Sequence, residues 1–269
     1  MGATMTPRER VRTAFAHSTP DFTPCDYYAT PEIHEALLVH FGLTDVGRAS
    51  RQGFLPMGGP GDNVLPERLG TDIRYIAPPY IGPPLQTFED GSTRDLWGVR
   101  RRPMPNEFGE YAEPVNAPYA GWETVEQAAA FPWPSPDWLK KELFDLVHSF
   151  GVKVTHHCCG SSRALIPQFL ACGMDALQTI QRQAVGMDPY DLKREFGGRL
   201  VLHGAVDVQG WLQHASVQEI EQEVNHLMDE VGHGGGFVLA PCHQLQPDTP
   251  TENVLAVYRT VARRRGRSL

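Results

Sequence analysis

Residues 137–269 alternate strand-like and helix-like stretches at short, regular spacing, and that alternation constrains the chain more than any other feature. A helical pattern through Leu143, Leu146, Val147 and Phe150 leads into the β-branched run Val152, Val154 and Thr155. Next come an expected helix over 161–172, ended by Gly173, and a strand over 175–181. Asp188-Pro189 caps a helix ending at Phe196-Gly197, followed by a strand over 200–207. Ser216 with Glu219 opens a helix over 217–231, a strand covers 237–241, and Thr249-Pro250 with Glu252 caps the last helix. Four consecutive β/α units imply a parallel sheet with right-handed crossovers, as in a β/α barrel or a doubly wound sheet. In either architecture the C-terminal ends of the strands form the functional face.

Those ends carry reactive side chains. The first strand runs VKVTHHCCG, from Val152 to Gly160. Side chains alternate along a strand, so His157 and Cys159 share one face while His156 and Cys158 take the other. An imidazole and a thiol two residues apart have metal-ligand spacing, and Cys242 in LAPCHQ is the candidate third ligand. The other ends offer Gln181, Asp207 and His243. Three N/S ligands with an open fourth position describe a catalytic zinc site, and coordination deprotonates a thiol. Gln181 and Asp207 are the candidate catalytic residues; His243 and Tyr28 are candidate substrate-binding residues. His203 and His243 could compete as ligands, although mid-strand His203 reads as a core histidine. An unmetallated polar pocket is the alternative. His156, Cys158, Cys25 and Cys172 read as packing residues, and no zinc-finger spacing is present.

The first 136 residues are less regular. Thr6-Pro7 with Glu9 opens a helix to about His17, 23–28 reads as a short strand, and Thr30-Pro31 starts a helix ended by Gly42. A strand is expected over 71–77, and an accessory hairpin over 88–102 turning at Asp90-Gly91, with a short strand over 110–115. Thr124–Ala130 reads as a short helix, and Phe131–Pro136 as a rigid proline connector. Two N-terminal strands and four C-terminal ones make about six barrel strands, short of the eight that close a barrel. The formal net charge of −8 argues against a nucleic-acid partner. No apolar run reaches the length of a membrane span and no signal-peptide core is present, so a cytoplasmic protein is expected. The odd count of five cysteines fits reduced thiols there.

The sequence resembles the uroporphyrinogen decarboxylase superfamily, in particular its cobalamin-dependent methyltransferase branch. The stretches TPRERVRTAFAHSTPDFTPCD, DGSTRDLWGV and AFPWPSPD carry the likeness. So do KVTHHCCGSSRALIPQFLACGMDALQTIQ, GMDPYDLKREFGGRLVLHGAVDVQ and GGGFVLAPCHQLQPDTPTENVLAVY. The resemblance implies a single domain over 1–269 with a distorted (β/α)8 barrel of TIM type. Its N-terminal part would be 1–136 and its four β/α units 137–269. It implies zinc held by His157, Cys159 and Cys242, activating a thiol that accepts a methyl group from a separate corrinoid (cobalamin) protein. Where decarboxylases carry an arginine-rich motif for tetrapyrrole carboxylates, this chain reads PCDYYATPEIHEAL, without arginine. Family members also carry several tens more residues between the proline connector and the helix before the His-x-Cys strand. An internal deletion of about two β/α units is therefore expected, with exposed strand edges that favour homo-oligomers. The expected function is methyl transfer between a corrinoid protein and a small acceptor. A metal-free carboxy-lyase and a shortened non-catalytic paralogue are the alternatives.

Overall fold

The computed structural model describes residues 4–43, 64–74, 86–94, 99–106, 109–115, 121, 124 and 148–269. The chain divides into two units, one made of 1–77 with 141–269 and the other of 78–140.

In the first unit, helix α1 (Pro7–Phe15) begins where the sequence places it: the Thr6 side chain accepts from the Glu9 backbone N–H and Glu9 reaches back to Thr6. Helix α2 (Pro31–Phe41) stops at Gly42, whose left-handed φ of +62 suits a residue without a Cβ. Helix α3 (Val64–Leu69) follows.

The second unit holds a three-stranded antiparallel sheet, β1 (Thr93–Arg94), β2 (Arg100–Asn106) and β3 (Gly109–Pro114). The turn at Asp90-Gly91 is present, closed by a hydrogen bond from the Phe88 N–H to the Ser92 carbonyl. The main hairpin, however, lies one strand later than expected, between β2 and β3. Its sequence concealed it behind Pro103, Pro105 and Pro114. The Val115 N–H donates to the Arg100 carbonyl, so positions 101, 103 and 105 fall at non-hydrogen-bonded pairs. All three prolines sit in such pairs, where no N–H is needed.

Back in the first unit, β4 (Thr155–His157) is shorter than the β-branched run suggests. A 3₁₀ turn (Arg163–Leu165) and α4 (Ile166–Ala171) replace one continuous helix. Then come β5 (Ala176–Ile180), α5 (Pro189–Phe196) and β6 (Val201–Val206). The chain continues through α6 (Trp211–His214), α7 (Val217–His226) with a π turn (Leu227–Val231), β7 (Phe237–Pro241) and α8 (Thr251–Arg264). Asp188 caps α5 and Ser216 with Glu219 caps α7, as their sequences specify. At α8, Pro250 is the N-cap and no side chain caps the helix, so Thr249 does not play its expected part.

The sheet is parallel in the order β4-β5-β6-β7. Residues 24–29 continue it, with parallel bridges from Cys25 to Leu239 and from Ala29 to Leu245. The 71–74 stretch is not a strand, but the Asp72 N–H donates to the Cys25 carbonyl. The rest of the expected strand, the 124–130 helix, the proline connector and the helix before β4 lie wholly or largely outside the described residues. β5, β6 and β7 are almost wholly buried, which is why they read as apolar runs. α8 packs Val254, Leu255, Tyr258 and Val261 into the core. One small layer joins Ala176, Val201 and Val238 across three strands and meets Phe15 of α1 and Ile73. No helix among the described residues is long and apolar enough to cross a membrane.

Candidate metal centre

β4 ends at His157, and the chain just beyond it brings Cys159 back beside the His157 ring. His157 Nε2 lies 3.2 Å from Cys159 Sγ. His156 turns the other way and packs edge-on against Phe169, its pKa lowered by burial and then by His157. Cys158 packs against the core.

The third member of the group is His243. Donor atoms of His157, Cys159 and His243 all lie within 4.8 Å of one another. His157 and Cys159 are exposed and His243 is half-buried, so the group is open to solvent on one side. β7 ends at Pro241, and beyond it strand alternation no longer dictates direction. Cys242, the expected ligand, is fully buried and outside the group. Burial pushes its thiol up to about 11. Its N–H donates to the Val206 carbonyl and its carbonyl accepts from the Thr179 hydroxyl. His243, expected to bind substrate, thus stands among the donors. Its pKa is lowered by burial and by His157 beside it.

Tyr28 stands at the edge of the group. Its ring lies 6.3 Å from that of His243, and its phenol pKa is raised by burial and then by Cys159. The Cys159 thiol is itself raised, by partial burial and then by Cys158.

Gln181 and Asp207 form a clamp beside this group. Gln181 Oε1 accepts from the Gly160 backbone N–H at 2.5 Å, and its amide nitrogen lies 3.3 Å from Gln209 Oε1. Asp207 accepts from the Gln209 N–H at 2.7 Å and from the Gln183 side chain at 2.7 Å. The loops after β4, β5 and β6 are tied together by these contacts. Sequence reasoning missed Gln178, whose Oε1 lies 3.3 Å from His157 Nδ1. It also missed the partner of His203, which is Asp26 at 3.0 Å. The register of β4 on β5 would have exposed Gln178, but register is not written in any single strand, and Asp26 lies on the far side of β7 from His203 in the sheet order.

The donor set suits zinc. Imidazole and thiolate bind it at about 2.0–2.3 Å, so tetrahedral ligand atoms stand about 3.3–3.8 Å apart. One pair lies at 3.2 Å, and the remaining donor atoms lie within 4.8 Å of one another.

Fold and site together define an α/β protein with a parallel sheet and a histidine–thiol donor group beyond the strand ends. Residues 138–264 match the family model described as Uroporphyrinogen decarboxylase (URO-D). The uroporphyrinogen decarboxylase of Serratia proteamaculans (strain 568) is 31% identical over 98 residues, covering 35% of this chain and 27% of that protein. That of Erwinia tasmaniensis is 32% identical over 94 residues, covering 34% and 26%. The matched stretch thus spans about a quarter of either relative. A solved methyltransferase from Methanosarcina mazei shows 28% identity, covering 48% of this chain and 37% of that one, with a TM-score of 0.36. Residues 138–264, just under half of the chain, are thus similar to the uroporphyrinogen decarboxylase family.

Proposed function

We propose that His157, Cys159 and His243 hold a zinc ion and that the chain serves methyl transfer between a separate corrinoid protein and a thiol or other small acceptor. The observation that carries this reading is the convergence of the three donor atoms within 4.8 Å beyond the ends of parallel strands. A zinc ion bound there would make a coordinated thiol available as thiolate near neutral pH. The chain's own residues supply the rest. The open side admits an acceptor, Tyr28 offers a hydroxyl at the rim, and the Gln181–Asp207 clamp keeps the Cys159–Gly160 loop in place. In the proposed architecture the parallel sheet belongs to an incomplete barrel of about six strands, a length that fits the partial coverage of the relatives.

A second reading is a metal-free carboxy-lyase, favoured by the names of both curated relatives. Against it stands the absence of arginine from residues 24–37, where tetrapyrrole carboxylates would need cations. Metal analysis of protein purified without chelator separates the two. About one zinc per chain is expected. It should be lost in Cys159→Ser and His243→Ala and kept in Cys242→Ala. Loss in Cys242→Ala with retention in His243→Ala would move the third ligand to Cys242. No zinc, with turnover indifferent to chelation, would overturn the zinc reading and favour the lyase.

A further inference from the structure

We propose that Gln178 is a positioning residue that selects the metal-binding tautomer of His157. The inference rests on the reading of His157, Cys159 and His243 as a metal site.

Gln178 lies on β5 in register with His157 on β4 and with His203 on β6. Residues directly opposite in neighbouring strands project to the same face, so the three form a polar row across the sheet. The two nitrogens of His157 have different neighbours. Nε2 faces Cys159 Sγ at 3.2 Å, and Nδ1 faces Gln178 Oε1 at 3.3 Å. An amide oxygen only accepts, so Nδ1 must carry the proton it offers. That leaves the lone pair on Nε2, directed at the donor group. The contact has a second effect: it fixes the ring plane, whose rotation would otherwise sweep Nε2 away from Cys159. Metal-bound histidines commonly have such an outer partner on the other nitrogen, and its loss typically weakens metal binding 10–100-fold.

The row has a firm far end. His203 Nε2 lies 3.0 Å from Asp26 Oδ2, and both residues are buried. The Asp26 N–H donates to the Leu239 carbonyl of β7, and its own carbonyl accepts from the Tyr258 hydroxyl at 3.1 Å. Gln178 therefore sits between a histidine anchored in the core and one at the exposed strand end. Its backbone is held too, since its carbonyl accepts from the Cys158 N–H at 2.6 Å.

The test measures zinc affinity of the full chain by chelator competition, with cobalt(II) absorption as a second readout of the ligand set. Gln178→Met keeps length and bulk but removes the acceptor; Gln178→Glu keeps an acceptor oxygen. The expected result is a 10–100-fold weaker zinc affinity in Gln178→Met. Gln178→Glu should stay within about 3-fold of wild type, with an unchanged cobalt spectrum. Wild-type affinity in Gln178→Met overturns the inference while leaving the metal site standing. So does an equal loss in both variants, which would assign the effect to packing. Failure of the wild-type chain to bind either metal overturns the metal site itself, a separately readable outcome.

Discussion

Among the described glycines, Gly235 is where an added Cβ would come closest to a backbone atom. Its φ of +80 lies in the left-handed region, and Gly234 and Gly236 beside it have φ of +72 and +66. Three such residues in succession turn the chain sharply from the π turn into β7. At Gly235 an added Cβ would come within 2.3 Å of the Ser18 carbonyl oxygen, which is backbone and cannot rotate aside. Gly235→Ala is therefore expected to destabilise the fold by at least about 2 kcal/mol, from left-handed strain plus the displaced contact. Urea unfolding reads this as a lower midpoint with an unchanged slope. Stability within error of wild type would show that the loop yields. Because β7 leads directly to His243, affinity at the proposed zinc site should fall in the same variant.

At the scale of elements, Asp175 holds the N-terminal end of β5 against the residues before β4. Its carboxylate accepts from the Val154 N–H at 2.8 Å, from Lys153 at 2.8 Å and from His148 at 2.7 Å. Burial alone would raise its pKa, but the hydrogen bonds from Lys153, Val154 and His148 outweigh it and the pKa is lowered. A folded pKa below the unfolded value means stability that is fully present above the unfolded value of about 3.9. It is lost as pH falls through the folded pKa. Asp175→Asn should cost about 1 kcal/mol at pH 7, at the modest end because Lys153 is solvent-exposed and screened. The gap between variant and wild type should close as pH drops below about 4. A gap of constant size from pH 7 to pH 3 would remove the carboxylate charge from the account.

At the scale of the first unit, the two ends of the sequence are tied through one carboxylate. Arg10 Nη1 and Arg265 Nη2 each lie 2.5 Å from Asp72, whose side chain is 1% exposed. Asp72 also accepts from the Cys25 N–H, next to the bridge between Cys25 and Leu239. Asp21 takes the remaining face of Arg10 at 2.7 Å, and Arg265 donates to the Gly70 and Thr23 carbonyls. Removing Asp72 would leave two guanidinium groups facing each other in the interior. Asp72→Ala should cost about 3–5 kcal/mol, the range for breaking a buried ion pair from one side. Arg265→Met together with Asp72→Leu should recover part of the loss, because two apolar groups leave fewer buried charges unpaired. Denaturant unfolding of both variants checks the pair, and equal stability of Asp72→Ala and wild type would refute the network's role.

Local signals were readable from the sequence because their physics is local. Caps at Thr6, Asp188 and Ser216, the stop at Gly42 and the burial of β5 to β7 all depend on residues within a few positions of each other. So does the turn of His156 away from His157, which alternation within β4 decides. Signals that depend on distant partners were not readable. The β2–β3 hairpin hid behind prolines that only the strand register makes harmless. Asp26 and His203 are 177 residues apart, and nothing in either neighbourhood announces the other. At the end of β7 the sequence offered two neighbouring ligand-type residues, Cys242 and His243. Which of them stands beside His157 and Cys159 depends on the backbone beyond Pro241, and there it is His243. Sequence determined which elements form and what chemistry their ends carry, since both follow from covalent neighbours. Only the tertiary structure decided which of those side chains meet, since that depends on register and on the direction of the chain after each strand.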